Sequence, residues 1–119
     1  MDYTFHEGTE NAYVEMLPGL QPIADEQDAL QLVAACAEYG AQRLLLPAEC
    51  LAPQFFDLKS GLAGAVLLKL GNYRIRAALV APDELTRQGR FYEFALETNR
   101  GQAFRIFNDR AAALQWLQG

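Results

Sequence analysis

The chain is poor in the residues that most metal and nucleophile sites are built from. Its 119 residues include two cysteines, Cys36 and Cys50, and one histidine, His6. The cysteine spacing matches no zinc signature, and one histidine cannot complete one, so no metal is expected. Two thiols without a framework of further cysteines read as reduced cytosolic residues. Cys36 lies in an Ala-rich apolar pattern and is expected to be buried. Long hydrophobic runs are also missing. The longest, Gly61 to Leu68, is ended by Lys69, and a membrane span needs about 20 such residues. The opening "MDYTFHEG" is acidic and has no apolar core, so no secretory signal is expected. These absences point to a cytoplasmic protein with no membrane partner.

Positive charge is scarce in the first half. Residues 1–58 carry ten acids and only Arg43, a balance of −9; residues 59–119 carry nine bases and five acids, a balance of +4; the whole chain stands at −5. No run of like charge exceeds two residues. Nucleic-acid binding needs a concentrated positive footprint. Arg74, Arg76, Arg87 and Arg90 are the only candidates for one, and solvated surface explains them as well.

Apolar residues are plentiful, at 51%, enough for the core of one domain spanning 1–119. "YTFHE" (3–7) and "AYVEML" (12–17) alternate apolar with polar and read as two strands around a turn at "GTEN". "LPGLQPIAD" is loop. Asp25 can cap a helix over 26–39, with Leu30, Val33, Ala34 and Ala37 as its apolar stripe and Gly40 as its stop. "RLLLP" (43–47) is a buried strand. Leu58, Leu62, Val66 and Leu70 recur every four residues and predict a helix over 58–71, closed by Gly71-Asn72. "YRIRAALVA" (73–81) is a strand with Tyr73, Ile75, Ala77 and Leu79 on one side and Arg74 and Arg76 on the other. A helix follows over 88–99, with Phe91, Phe94, Ala95 and Thr98 on one face; Asp83 offers an earlier start, but Gly89 weakens the middle of that longer helix. "AFRIF" (103–107) is the last strand. Asn108 or Asp109 caps a final helix to 118, with Ala112, Leu114, Trp116 and Leu117 as packing residues. The order β-β-α-β-α-β-α-β-α gives an α/β fold. Its sheet is mostly parallel, with right-handed crossovers and an antiparallel first strand at the edge.

Ligands of open α/β sheets gather beyond the carboxyl ends of the strands. There Asp57, Ser60, Asp83 and Asp109 could share an acidic rim, or serve only as helix caps. "FFDLKSGLAG" (55–64) concentrates the most chemistry. Asp57 as N-cap would put Ser60 at the third helical position, where a phosphate would meet free amides and the positive end of the helix dipole, with Lys59 beside it. Gly61 and Gly64 are too closely spaced for a phosphate-binding P-loop. With Ala63 and Ala65 they are expected to give a small-residue surface that lets the helix lie close to the sheet. Cys50, His6 and Asp57 are the only set resembling a nucleophile, base and orienter, and an inert thiol with an exposed edge histidine is the plainer reading.

The stretch "FFDLKSGLAGAVLLKLGNYRIRAALV", with "QDALQLVAACAEYGAQRLLL" before it and "ETNRGQAFRIFNDRAAALQWL" after it, resembles a bacterial family of small single-domain proteins of unknown function. Members of that family carry a phrase close to "FFDLKTGLAGEILQKFVNYRVKLAIV". More distantly, the element order resembles STAS domains, the fold of anti-sigma factor antagonists. In those a phrase such as "FIDSSGLG" opens the helix after the third strand, and a partner kinase phosphorylates a serine in it. The resemblance sets Asp57 against the motif's Asp and Ser60 against the serine before Gly-Leu. It departs from the motif in carrying Leu58 and Lys59 where a single serine stands. What it implies is a non-enzymatic regulatory domain without cofactor. Such a domain would bind a protein partner through Asp57, Lys59, Ser60 and Gly61, with Ser60 as a phosphorylation site. A small-ligand binder or enzyme at the carboxyl ends of the strands is the alternative. Self-association through a sheet edge or helix face is a third expectation.

Overall fold

The structure is a computed structural model, described here for residues 2–7, 11–19 and 21–119. Its elements run β1 (Tyr3–His6), β2 (Tyr13–Met16), α1 (Glu26–Glu38), β3 (Arg43–Pro47), three short 3-10 turns (Ala48–Cys50, Pro53–Phe56, Leu58–Ser60), α2 (Leu62–Asn72), β4 (Arg76–Val80), α3 (Asp83–Thr86), α4 (Gly89–Thr98), β5 (Phe104–Phe107) and α5 (Arg110–Leu117). The five strands lie side by side in chain order, β1-β2-β3-β4-β5. β1 pairs with β2 antiparallel, and the remaining pairs are parallel. The α/β class, the element order and the antiparallel edge strand are therefore as the sequence predicts. Of the turn expected at "GTEN" (8–11), residues 8–10 lie outside the described residues.

Alternation along each strand sorts the side chains onto two faces. Val14, Met16, Leu44, Leu46, Ala77, Leu79, Phe104 and Ile106 meet α1, α2 and α4 in the main core. Tyr13, Leu45 and Ala78 meet Ala113 and Leu117 of α5 in a second, smaller one. Right-handed crossovers in one direction put α1, α2 and α4 on one face. α5 follows the last strand and folds back onto the other.

Several boundaries differ from expectation. α1 buries Ala29, Leu32, Ala35 and Cys36. Ala34 and Ala37, expected in its stripe, are exposed, and Leu30 and Val33 only half-buried. Nearly every position from 29 to 37 is apolar, so the 3.6-residue period fits more than one phase. The helix expected over 58–71 is broken by Gly61 at φ +79°, so Leu58–Ser60 is a separate 3-10 turn. The small-residue surface also fails. Ala63 is buried, but Gly64 is exposed, and a side chain built at Gly61 or Gly64 would meet no neighbour. The helix predicted over 88–99 is α4, while the earlier start offered at Asp83 is the separate α3, parted from it by a break at Arg87–Gln88 and by Gly89 at φ +56°.

The strand expected from Tyr73 begins only at Arg76, because 70–75 closes α2. The Arg74 amide donates to the Gly71 carbonyl (3.0 Å) and the Ile75 amide to that of Leu70 (3.0 Å). This is the paired-bond stop in which the residue after the cap turns left-handed. α1 ends the same way, through Gly40 to Ala37 (3.2 Å) and Ala41 to Cys36 (2.9 Å). The left-handed residue there is Gly40, at φ +63°. In α2 it is Arg74, at φ +57°, the one non-glycine residue with positive φ among those described. An L side chain in that conformation costs about 1 kcal/mol.

The free edge of β5 is partly closed by a side chain. Asn99 Oδ1 accepts from the Ile106 amide (2.7 Å), and its Nδ2 donates to the Ile106 carbonyl (3.1 Å). One carboxamide thus replaces one residue of a neighbouring strand and blunts an edge that would otherwise invite another chain.

Candidate functional site

The long connection from β3 to α2 is a folded platform. Ile23 and Leu51 form a parallel bridge, with the Ile23 amide donating to Cys50 (2.8 Å) and the Ala52 amide to Ile23 (2.9 Å). Phe55 is fully buried. Its ring lies 5.2 Å from Phe56 and 6.0 Å from Phe91, and Phe91 continues to Phe94 at 5.4 Å. The cluster joins the platform to α4, where the predicted face of Phe91, Phe94, Ala95 and Thr98 is observed.

The platform ends at the stretch singled out from sequence. Asp57 caps the 3-10 turn, not α2, accepting from the Lys59 amide (3.2 Å). Ser60 is therefore the third residue of that short turn, not the third position of α2. It stands just before the Gly61 hinge, exposed, with its hydroxyl donating to the Gln54 carbonyl (2.6 Å) and accepting from the Leu62 amide (3.2 Å). The hydroxyl ties the platform to the first turn of α2, which has no side-chain cap at Gly61 itself. The expected proximity of Ser60 to the α2 amides survives, by a different route.

Beside this stretch is a concavity of about 470 Å³. Asp57, Leu58 and Lys59 line it from the platform, Gly89 and Arg90 line it from α4, and Phe56 and Phe91 meet between them at 5.2 Å. Lys59 and Arg90 against Asp57 leave it one positive charge. Of the four residues predicted to bind, Asp57 and Lys59 line this groove, while Ser60 and Gly61 follow directly after it.

The acidic rim is not formed as one site. Asp109 caps α5, accepting from the Ala112 amide (3.0 Å). Asp83 pairs with Arg87 (3.5 Å) and accepts from Asn108 Nδ2 (3.2 Å). With Tyr92 and Asn99 these side chains line a second concavity, of about 260 Å³, which includes neither Asp57 nor Ser60. The arginine patch divides as well: Arg74 and Arg76 lie at the entry of β4, Arg87 and Arg90 beyond its exit.

The nucleophile set is not assembled. Cys50 is buried in the helix-side core, and burial first, then Glu49 and Glu15, pushes its thiol up to about 11. Cys36 is buried as expected, and burial pushes its thiol to about 11 too. Neither is a thiolate at neutral pH. His6 lies on the edge strand and is engaged elsewhere, its Nε2 2.9 Å from Glu15 Oε1. Arg110 grips the same carboxylate, with an Nη at 2.8 Å and Nε at 3.4 Å.

Burial alone would raise the Glu15 carboxyl, but Arg110 and His6 outweigh it and hold it below the ordinary carboxylate value. The folded protein thus releases this proton at lower pH than the unfolded chain. The stabilisation is complete above the unfolded-state value and is lost as pH falls through the folded one. Urea unfolding from about pH 6 down to about pH 3 is expected to show a steeper stability loss for the native sequence than for Glu15→Gln. Parallel profiles would mean that the cluster contributes nothing to acid sensitivity.

The model of one family, described as a domain of unknown function (DUF4180), matches residues 9–117. The chain belongs to that family. Comparison with curated proteins and with solved structures returned no match. Among the described residues no helix is long and apolar enough to cross a membrane.

Proposed function

We propose that this member of the DUF4180 family is a non-enzymatic regulatory domain of the STAS kind. It binds a protein partner in the groove between the 56–59 turn and the start of α4, and phosphorylation at Ser60 controls that binding. The observation that carries the reading is the groove itself. It offers an aromatic contact between Phe56 and Phe91 flanked by Lys59 and Arg90, directly next to an exposed hydroxyl. An apolar side chain flanked by acidic residues complements it in shape and charge. A phosphate brings about −2 charge, which turns the local balance from +1 to about −1. The ester oxygen also cannot donate to Gln54, but Ser60→Ala loses that tie as well, so the added charge is what carries the switch.

Selection of a displayed peptide library on the protein is expected to enrich apolar residues flanked by Asp or Glu. A selected peptide should bind Ser60→Ala about as well as the native sequence. It should bind Ser60→Asp and Lys59→Glu about tenfold more weakly, or about 1.4 kcal/mol. Equal affinity for Ser60→Ala and Ser60→Asp would rule out the switch. Selected peptides that bind Phe56→Ala unchanged would rule out the groove.

The alternative, a small-ligand site at the carboxyl ends of the strands, is favoured by the convergence of Asp83, Arg87, Asn99 and Asn108 around the second concavity. It is the better reading if a metabolite raises the Tm of the native protein but not of Asn108→Ala.

A further inference from the structure

At the opposite end of the sheet, three arginines lie on one face of three adjacent strands. Arg43 and Arg76 are directly opposite each other in the β3–β4 register. Arg105 follows on β5, beside Ala78. Like charges facing one another across a ladder are unfavourable, and among the described residues no carboxylate pairs with any of the three. Part of their bonding is internal. Arg43 donates to the Leu117 carbonyl and Arg76 to that of Trp116, capping the negative end of α5. Arg105 donates to the Gly101 carbonyl (2.8 Å). Arg76 also lies over the Trp116 ring at 4.0 Å. The Arg76 Nε nevertheless remains buried without a partner, and an unmade bond on a buried polar atom is costly. Burial first, then the nearby Arg43 and Arg105, lowers the Arg76 pKa.

Arg74 brings a fourth charge to the same end, and helix capping does not account for it. It holds the left-handed position that Gly40 holds at the equivalent end of α1, so stability alone would favour glycine there. Its guanidinium has no hydrogen-bond or ion-pair partner among the described residues. Arg74 and Arg76 line a concavity of about 450 Å³ with Gln102, Ile75 and Ala103. A strained backbone that presents a free cation beside a second, incompletely satisfied one is economical if an anion occupies the space between.

We propose that this concavity binds the phosphate group of a small molecule, with Arg74 and Arg76 holding the phosphate and Ile75 and Ala103 meeting an apolar part of the ligand. Guanidinium forks match phosphate oxygens two at a time, and two of them balance a dianion. The site is separate from the groove at Phe56 and Phe91, so either can fail without the other.

Thermal unfolding tests it in sodium chloride, inorganic phosphate and phenyl phosphate at matched ionic strength. The native protein is expected to gain several degrees in Tm, saturably, at about a hundredfold excess over Kd. Phenyl phosphate should saturate at lower concentration than inorganic phosphate; the reverse order would overturn the apolar contact. Arg74→Gly is the decisive variant, because it removes the strain and should melt a few degrees higher in chloride. It should also lose the phosphate-dependent gain. General exclusion of phosphate from protein surfaces would stabilise both proteins equally. An equal gain in Arg74→Gly, or no gain over chloride in the native protein, would therefore overturn the site. Arg76→Gln should lose the gain too, though its contacts with α5 make it the less stable variant.

Discussion

Phe55→Ala is expected to lower the unfolding free energy by about 3–5 kcal/mol, the range for emptying a closed aromatic site. Phe55 is fully buried although it sits in a 3-10 turn of a long connection, a place where most side chains face water. The bonds that hold this turn are local: the Phe55 amide to Ala52 (2.9 Å), the Asp57 amide to Gln54 (3.1 Å), and the Ser60 hydroxyl to Gln54 (2.6 Å). Such bonds shape this turn but do not fasten it to the rest of the chain. Phe55 does that, through Phe91 of α4 and the main core. The cavity is bounded by strands and helices that cannot collapse into it, so the loss belongs in the upper half of the range. Domains of this size are stable by about 5–15 kcal/mol, so the substitution removes a large share. Phe56 is only half-buried, and Phe56→Ala should cost about 1–2 kcal/mol while directly altering the groove. Urea unfolding of both variants checks the contrast. A cost below about 1 kcal/mol for Phe55→Ala would mean that the platform is not anchored in the core. The groove would then be a surface that moves, and the reading of it as a preformed recognition site would fail with it.

What could be read from the sequence followed short-range rules. The strands at 43–47 and 76–80 are apolar runs with charge or proline at their ends. The Asp25 and Asp109 caps are made as expected, to Asp28 (2.8 Å) and Ala112 (3.0 Å). The break at Gly61 was hidden because Leu58, Leu62, Val66 and Leu70 keep a four-residue spacing straight through it. A 3-10 turn followed by a hinge places Leu58 near the core, as a longer helix would. The position of Ser60 went astray for the same reason, since a cap assigned to the wrong helix shifts every position counted from it. The left-handed Arg74 has no local sign, because glycine is the residue that would mark such a stop. The arginine cluster and the Asn99 clasp on Ile106 depend on which residues face one another across strands. No periodicity within one segment carries that register.

Leu117→Ala is expected to cost about 2–5 kcal/mol and, unlike Phe55→Ala, to separate two parts of the unfolding transition. α5 is the one described helix on its face of the sheet, and only Ala113 and Leu117 are fully buried along it. Their partners are Tyr13, Leu45 and Ala78, which the strands hold in place, so the space left by Leu117 stays open. The loss does not end with packing. The carbonyls of Trp116 and Leu117 accept from Arg76 and Arg43. If the last turn of α5 frays, both guanidiniums lose their acceptors while still facing each other across β3 and β4. The main core, with α1, α2 and α4 on the far side, contains none of these groups and should survive the first step. Trp116 of α5 is the single tryptophan and lies against Arg76 of β4 and Phe107 of β5, so its fluorescence reports the docking of this helix on the sheet. In Leu117→Ala the fluorescence transition in urea should precede the circular dichroism transition, whereas in Phe55→Ala the two should coincide. Amides of α5 should likewise exchange before those of Leu44 and Ala77. Coincident transitions in Leu117→Ala would show that α5 unfolds with the rest of the sheet. The two cores would then be one cooperative unit despite the sheet that divides them.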